Sequence, residues 1–439
     1  MKKPEHPPKF ADVFNDPDGY FKIIRAVQSP THKGRYLHWD EVRRRRPPTG
    51  LTSEEWWFGL KGNRSTQYKS IPLTDVGGKP FVFAVPEEAQ ALLHEVTQRA
   101  SGSMGAWDQI TNPETRNRYL IRNLMEEGIT SSLIEGAATT REAAREMLRS
   151  KRAPRDESEQ MVLNNYTAMQ HIISLEGAPL TPEMVLELHE IITRNTLKDP
   201  SGAGRLRRAD EAIDVADMYG HVLHDPPPAE QLAGRLEAMC AFANGKSPKG
   251  FVHPVLRSII LHFWLAYDHP FKDGNGRAAR ALFYWSMLSQ NYWLCQFISI
   301  SRIIYQAPTR YARAFLFTES DDNDLTYFAM HQLDVISKAL DALHEYIEQK
   351  LNERRRIESR LRLSSELNDR QLDLIGHALR HPNAQYGIRQ YQTDNSVVYQ
   401  TARTDLLDLV DKGLLRKTKH GRTHRFHPSP NLDRRLRRL

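Results

Sequence analysis

The stretch "HPFKDGNGRAAR", residues 269–280, decides how this chain is interpreted. It brings together a histidine, an acid, two glycines and two arginines that are three residues apart. The segments "HPVLRSIILHFWLAY" before it and "RAARALFYWSMLSQ" after it both show the apolar spacing of buried helices. The stretch therefore predicts a loop between two core helices, with more reactive groups than a simple connection needs.

The second half of this loop suits the binding of phosphate. We expect a helix to begin near Asn275 or Gly276, and the first turn of a helix leaves backbone N–H groups that bind anions. Gly274 and Gly276 lack side chains, so a phosphate can approach their backbone closely. Arg277 and Arg280 share one helix face and can fork onto further phosphate oxygens.

Two further residues add chemistry to this phosphate cradle. The carboxylate of Asp273, just before the glycines, can hold Mg²⁺ between phosphates. His269 lies at the entrance of the loop, and an imidazole with a pKa of about 6.5 can act as a general base at neutral pH. Together they predict a site that deprotonates a hydroxyl beside a bound polyphosphate. The alternative without function is a Gly-Asn turn with a capping Asp and two solvated arginines.

The periodicity of the remaining chain predicts a mainly α protein. Amphipathic helices follow one another through residues 111–350, which we interpret as one helical domain. Residues 1–110 predict a small α+β module with a hairpin at Gly77-Gly78. A charged linker helix over residues 351–364 leads to a C-terminal domain over residues 365–439.

Two segments of the helical domain stand out. Short apolar runs within residues 208–228 flank a turn near residues 217–220, which predicts a β-hairpin that projects from the helical body. In "SSLIEG", at the end of a helix predicted near residues 120–136, Ser131 and Glu135 are four residues apart and share a helix face. Considered alone, a glutamate in such a position is most often solvated.

The last fifth of the chain, which comprises the C-terminal domain and most of the linker helix before it, carries an excess of positive charge. Residues 353–439 hold 19 Lys and Arg against 10 Asp and Glu, a net charge of +9, whereas the whole chain has +7. Two helices followed by two β runs predict a winged helix, in which Ser396 caps a helix over residues 397–411. A protein–protein module with the same fold is the alternative to DNA binding. The candidate DNA contacts are Gln400, Arg403, Thr404, Lys417 and Arg422.

Residues 269–280 fit the signature of the Fic (Fido) family, His-x-Phe-x-(Asp/Glu)-Gly-Asn-Gly-Arg-x-x-Arg, at every defined position. The chain resembles this family from residue 110 to residue 345, and its C-terminal segment resembles the winged-helix tail of many bacterial members. Fic proteins are helical and usually transfer AMP from ATP to a hydroxyl of a target protein. The resemblance implies that His269 is the base, that Asp273 holds Mg²⁺, and that the phosphates of ATP contact Gly274, Asn275, Gly276, Arg277 and Arg280.

The resemblance also implies how the protein is regulated. "SSLIEG" fits the family's inhibitory motif, (Ser/Thr)-x-x-x-Glu-(Gly/Asn), and lies N-terminal to the core as in the second class of these proteins. Ser131 and Glu135 would then engage Arg280 and oppose productive binding of ATP. The same glutamate can position water for removal of AMP in some relatives, and homodimers are common in this class.

The resemblance further bears on the target and on the group transferred. The predicted hairpin corresponds to the flap that pairs with the extended backbone of a target. Gly276 favours transfer of AMP, because the phosphotransferring Doc toxins carry lysine at this position. Flap pairing leaves Ser, Thr and Tyr open as the modified residue. The candidate docking residues of the flap are Ile213, Asp214, Val215, His221 and Val222.

Composition limits the remaining classes. Cys240 and Cys295 are the only cysteines, too few for a disulfide framework or a cysteine zinc site. No apolar run approaches the ~18 residues of a membrane span, and no signal-peptide pattern appears, so we expect a cytoplasmic protein without a membrane partner. The rival function is a DNA-binding transcriptional regulator whose Fic core senses nucleotide without catalysis. An intact His269 disfavours it, since a pure sensor needs no base.

Overall fold

A computed structural model describes residues 3–9, 17–101, 113–175, 177–211, 213–216, 220–360, 367–420 and 423–436. Helices dominate these residues, as the sequence predicts, and none of the helices described is long and apolar enough to cross a bilayer. The helices are α1 (Pro17–Ala26), α2 (Trp39–Val42), α3 (Ser53–Ser65), α4 (Glu87–Ala100), α5 (Pro113–Ile134), α6 (Arg141–Ser150), α7 (Glu157–Ser174), α8 (Pro182–Thr193), α9 (Leu232–Ala243), α10 (Pro254–Asp268), α11 (Asn275–Ser289), α12 (Ile300–Gln306), α13 (Pro308–Ser320), α14 (Thr326–Arg360), α15 (Asp369–Arg380), α16 (Ile388–Asn395), α17 (Tyr399–Asp411) and α18 (Leu432–Leu436).

The strands of the described residues form small antiparallel sheets. The hairpin at Gly77-Gly78 pairs β1 (Lys69–Thr74) with β2 (Pro80–Phe83), and the second predicted hairpin pairs β3 (Val215–Ala216) with β4 (Val222–His224). A three-stranded sheet lies near the C-terminal end, with the order β5-β7-β6. Its strands are β5 (Tyr386–Gly387), β6 (Leu415–His420) and β7 (Thr423–Pro428).

The pair α10 and α11 forms the centre of the main core. Almost every residue of α10 is buried, including Phe263 and Trp264, which explains why its sequence is apolar on all sides. Helix α11 packs along α10 and buries Phe283 and Trp285, while α5, α7, α8, α9 and α14 surround the pair. Residues 269–274 connect the two helices, so the best-packed part of the molecule fixes both ends of this loop.

The N-terminal region contributes to two cores. Strands β1 and β2 and helix α4 belong to the main core, where Phe81 is fully buried. A separate cluster around Trp56 and Trp57 joins α1, α2 and α3. The buried Arg64 links this cluster to α14 through a 2.8 Å hydrogen bond to the hydroxyl of Tyr327. Residues 69–100 therefore share the hydrophobic core of the helical domain.

The C-terminal domain has its own core and consists of α15, β5, α16, α17, β6, β7 and α18 in that order. Helix α14 runs to Arg360, so the predicted boundary at residue 350 falls within a continuous helix. Helix α16 packs against α5 and α6, and Arg149 of α6 donates a 2.7 Å hydrogen bond to Asp394 of α16. The domain is thus docked on the helical domain.

Ser396 does not cap α17, contrary to the prediction. It has a φ of 52° and ends α16, where its backbone N–H bonds to the carbonyl groups of Gln392 and Thr393. Helix α17 begins at Tyr399 without a side-chain cap. The turn between the two helices is short. Because Ser396 is used to satisfy the last carbonyl groups of α16, it is not available as the predicted cap of α17.

Candidate active site

Side chains of the loop between α10 and α11 hold it in one conformation. Phe271 is fully buried and stacks on His189 of α8, with ring centroids 3.8 Å apart. Asn275 donates a 2.7 Å hydrogen bond to the Phe271 carbonyl and accepts a 2.9 Å bond from the Phe271 N–H. Gly274 has a φ of +82°, and a Cβ there would lie 3.0 Å from Thr193, so this position requires glycine. The loop therefore presents glycine backbone at the start of α11, where anions bind.

His269 is a neutral imidazole with one nitrogen available to accept a proton. Its Nδ1 lies 3.3 Å from the carbonyl oxygen of Ala266, and because a carbonyl only accepts, Nδ1 carries the hydrogen and Nε2 the lone pair. Burial lowers the pKa of His269 to about 4, so the ring is uncharged at neutral pH. Arg207 fixes the backbone here with a 3.0 Å hydrogen bond from Nε to the His269 carbonyl.

Asp273 has a partly exposed carboxylate beside the glycines. Its side chain is 52% exposed, and Oδ1 accepts a 2.5 Å hydrogen bond from the Gly274 N–H while Oδ2 lies 3.3 Å from Arg277. His189 supports the backbone by donating a 2.9 Å hydrogen bond from Nε2 to the Asp273 carbonyl. Mg²⁺ is commonly bound by one or two carboxylates together with substrate phosphates, so this exposed oxygen donor fits such an ion.

The guanidinium groups of Arg277 and Arg280 contact different protein partners. Arg277 is fully buried, and its Nη1 donates a 3.1 Å hydrogen bond to the Ile192 carbonyl at the end of α8. Its Nε is buried without a partner in the part of the chain that the structure describes. Arg280 is 1% exposed and donates from Nε to the Ser131 hydroxyl at 2.9 Å and from Nη2 to Glu135 Oε1 at 2.8 Å. Both arginines predicted to meet phosphate are thus engaged by neighbouring helices.

Glu135 places a carboxylate over the first turn of α11. Helix α5 ends at Ile134, and Gly136, with a φ of +91°, turns the chain away directly after the glutamate. A Cβ built on Gly276 would lie 2.9 Å from Glu135 Cδ and closer still to its Oε1. The structure therefore brings Ser131 and Glu135 to Arg280, and the glutamate covers the glycine surface at which a phosphate is expected.

The hairpin β3–β4 is anchored to the end of α10 and to the beginning of the loop. Before β3, the N–H of Arg207 donates a 2.8 Å hydrogen bond to the Pro270 carbonyl. At the end of β4, Nε2 of His224 donates a 2.7 Å hydrogen bond to the Tyr267 carbonyl. The candidate docking residues lie along its two arms, and residues 217–219 of the turn lie outside the described residues. The arm before the turn carries Ile213, Asp214 and Val215, and the arm after it carries His221 and Val222.

The loop and its two helices lie within a segment that matches a known protein family. The sequence profile of the Fic/DOC family matches residues 179–287, which include α8, the hairpin, α10, the loop and most of α11. This chain carries a Fic/DOC family domain. The expected family resemblance is therefore confirmed over residues 179–287, which hold the loop and the hairpin but not Ser131 or Glu135.

The curated relatives of this chain align with it over only part of their length. The protein adenylyltransferase Fic of Nematostella vectensis is 30% identical over 158 residues, which are 35% of this chain and 34% of that protein. The protein of the same name from Drosophila grimshawi is 29% identical over 154 residues, 34% of this chain and 30% of that protein. The chain thus spans about a third of the length of these curated relatives. A solved Fic family protein of Desulfovibrio desulfuricans G20 aligns at a TM-score of 0.49 and 20% identity, over 78% of this chain and 95% of that one.

Three residues that position the Fic loop were missed by sequence reasoning. His189, Arg207 and His224 all hydrogen-bond to the backbone of residues 267–273, yet they precede the loop by 45 residues or more. His189 lies within an apolar helix, where a histidine looks like an ordinary core residue. Only the tertiary structure places these side chains beside the loop.

The candidate DNA contacts are on an exposed side of the C-terminal domain. Gln400, Arg403 and Thr404 are exposed on α17, and Lys417 is exposed on β6. Arg422 lies outside the described residues. Helix α17 shows the two predicted faces, since its buried residues are Ala402, Asp405, Leu406 and Leu409.

Proposed function

We propose that this chain is a protein adenylyltransferase, which moves AMP from ATP to a hydroxyl of a target protein. The observation that carries the proposal is the pairing of a neutral His269, whose Nε2 is available, with a glycine-lined helix start only six residues further along the loop. The relatives that share the Fic domain and are named protein adenylyltransferase support it.

The transfer proceeds by proton removal and displacement at phosphorus. Nε2 of His269 takes the proton of the target hydroxyl, whose oxygen bonds to the α-phosphorus of ATP. The bond from that phosphorus to the bridging oxygen breaks, and pyrophosphate leaves. The N–H groups at the start of α11, together with Arg280 once it is free of Glu135, stabilise charge on the phosphates. Asp273 would hold Mg²⁺, which supplies further neutralisation of phosphate charge when bound.

The hairpin aligns the target beside His269. Among the described residues, β3 and β4 form a sheet of two strands only, so an outer edge is open to an extended segment of another chain. The anchors at Arg207 and His224 fix this edge relative to the loop. Because strand addition reads the backbone, the hydroxyl can belong to Ser, Thr or Tyr.

Glu135 inhibits this reaction by occupying Arg280. The guanidinium group is 1% exposed and its partner carboxylate 28% exposed, so breaking the pair without a replacement leaves a buried charge uncompensated. A γ-phosphate that reaches Arg280 must therefore compete with Glu135. The carboxylate also covers Gly276, which obstructs the phosphate cradle sterically.

The test is self-labelling with ATP that carries the label on its α-phosphate. We expect Glu135→Gly to raise labelling, because it frees both Arg280 and the cradle. Adding His269→Ala to that variant should lower labelling by about 10²–10⁴-fold, the usual contribution of a general base, while ATP binding is retained. Equal labelling of the wild type and Glu135→Gly would remove the inhibitory role. Labelling that persists without His269 would remove the assigned base.

A second candidate function, binding of DNA, is supported by the C-terminal domain. We interpret its helices and three-stranded sheet as a winged helix, whose α17 presents Gln400, Arg403 and Thr404 to a major groove. Arg403→Ala should weaken retention on DNA and reduce its salt dependence. Intact mass after incubation with ATP and Mg²⁺ separates the two functions, since a nucleotide-sensing regulator without catalysis gains no AMP.

A further inference from the structure

A cavity of about 200 Å³ lies between α5, α6, α12 and α14, and it shares no residue with the loop of the candidate active site. Four arginines line it, one or two from each of three elements: Arg122 of α5, Arg141 and Arg145 of α6, and Arg302 of α12. Glu126 of α5 is the one acid among its lining residues. The pocket is therefore strongly cationic.

A single carboxylate serves two of these arginines. Glu126 Oε1 pairs with Arg141, and Glu126 Oε2 accepts a 2.9 Å hydrogen bond from Arg145. The Nε of Arg141 is buried and has no partner within the described ranges. Arg302 is exposed and its side chain makes no hydrogen bond to a described residue. Donor capacity thus exceeds what Glu126 can satisfy.

Mutual repulsion among the arginines, together with burial, lowers the pKa values of two of them. Burial lowers the pKa of Arg141, and the neighbouring charges of Arg145 and Arg302 lower it further. Burial lowers the pKa of Arg145 as well, and the neighbouring charge of Arg122 lowers it further. The negative charge of Glu142 on α6 raises this pKa, but the net shift remains downward. A bound anion would relieve this repulsion.

The form of the pocket indicates the kind of anion. Arg122 is held in place by a 2.6 Å hydrogen bond to the Tyr346 hydroxyl and lies over the Tyr346 ring at 4.4 Å. Planar guanidinium groups bind phosphate oxygens in pairs, and fixed ones lose less freedom on binding. The cavity is smaller than the ~300–1,000 Å³ of pockets that enclose drug-sized ligands, which favours a phosphate-sized group over a whole nucleotide.

We propose that this arginine pocket binds an anion of the size of phosphate or pyrophosphate, which competes with Glu126 for Arg141 and Arg145. The competition predicts opposite effects of two substitutions. Arg302→Gln removes a ligand and should weaken binding about tenfold, the worth of one charge-assisted hydrogen bond. Glu126→Gln keeps the shape of the competitor but removes its charge, and should tighten binding by a similar factor.

The experiment is calorimetric titration of the full-length protein with pyrophosphate, followed by inorganic phosphate, sulfate and AMP. The matched control is Arg45→Gln, which removes the same charge from the N-terminal region, where Arg45 is 39% exposed. It should leave the affinity unchanged. Phosphate and pyrophosphate binding without AMP binding at the pocket supports a small inorganic anion, and preferential binding of AMP would overturn that assignment.

The variants Arg302→Gln and Glu126→Gln test the arginine pocket independently of each other. If Glu126→Gln lowers the thermal midpoint of unfolding, the exposed Arg302→Gln still reports on the pocket without disturbing packing. The absence of saturable binding to the wild type, or binding that neither substitution changes, would show that the arginines hold no anion. Since neither residue belongs to the phosphate cradle, failure here leaves the proposed transfer of AMP untouched.

Discussion

Replacing Gly276 by alanine tests how closely Glu135 covers the phosphate cradle. The added methyl group would lie 2.9 Å from Glu135 Cδ, closer still to Oε1, and 3.1 Å from Arg280 Nη1. The carboxylate lies at the end of a flexible, 28% exposed side chain, so it moves in preference to the backbone of α11. That movement breaks its 2.8 Å hydrogen bond to Arg280. A charge-assisted bond of this kind contributes about 1.5–3 kcal/mol.

In a Glu135→Gly background the same methyl group no longer meets the carboxylate and keeps only its 3.1 Å approach to Nη1 at the end of the Arg280 side chain. There, alanine should be neutral or stabilise the protein by up to about 1 kcal/mol, the difference between alanine and glycine in a helix. The coupling free energy between the two positions should therefore be about 1.5–3 kcal/mol. Thermal unfolding of the wild type, both single variants and the double variant measures it, at about 2–4 °C per kcal/mol for domains of 150–250 residues.

Self-labelling separates the two roles of Gly276. In the Glu135→Gly background the methyl group should reduce AMP transfer, because it enters the space over the first turn of α11, although the thermal midpoint does not fall. Effects on stability that add within about 0.5 kcal/mol would refute the steric contact. Undiminished labelling of the double variant would refute the placement of phosphate at this turn.

The remaining predictions concern pH and the C-terminal domain. Because the pKa of His269 is lowered to about 4, AMP transfer by Glu135→Gly should stay level from pH 8 to about pH 5 and fall below it; a midpoint near 6.5 in the rate profile would contradict this. Asp394→Ala removes the partner of Arg149 and should speed hydrogen exchange in α16, because a partly exposed ion pair of this kind contributes about 0.2–1 kcal/mol. The control Asp334→Ala, which breaks an ion pair within α14, should leave hydrogen exchange in α16 unchanged. The free energy of unfolding should rise as the pH increases from about 4 to 6.5, because the unfolded chain binds more protons than the folded one in that window. Calorimetry at several pH values measures this, and a flat profile would contradict it. The buried or largely buried histidines with lowered pKa values include His38, His189, His262, His269 and His331.

The parts of the site that the sequence predicts are those encoded locally. The glycines, Asp273 and His269 lie within twelve consecutive residues between two apolar helices, so their proximity follows from the chain itself. The start of α11 at Asn275 also agrees with the prediction. The direction of each guanidinium group does not follow from spacing, because Arg277 and Arg280 are drawn to α8 and α5 by packing between distant segments.

Errors and omissions arose where tertiary contacts override local preference. The side chain of Ser396 suits a helix cap, but its backbone was needed to close α16. The sequence predicts an N-terminal module over residues 1–110 but not that the apolar face of its hairpin packs into the main core, because that contact joins distant segments. The four arginines of the pocket are up to 180 positions apart, from Arg122 to Arg302, and no sequence pattern links them.

Helix α5 connects the proposed inhibitory contact, between Glu135 and Arg280, to the rest of the molecule. Near its end, Ser131 accepts a hydrogen bond from Arg280, and in its middle Glu127 accepts a 2.7 Å bond from the Ser299 hydroxyl that precedes α12. Glu126 and Glu135 are nine residues apart, about 13 Å along the helix and half a turn around it. The arginine pocket and the inhibitory contact therefore lie on opposite sides of one rigid element, against which α15 and α16 also pack. An anion that weakens the hold of α6 on Glu126 would therefore act on the same helix whose C-terminal end presents Glu135 to Arg280.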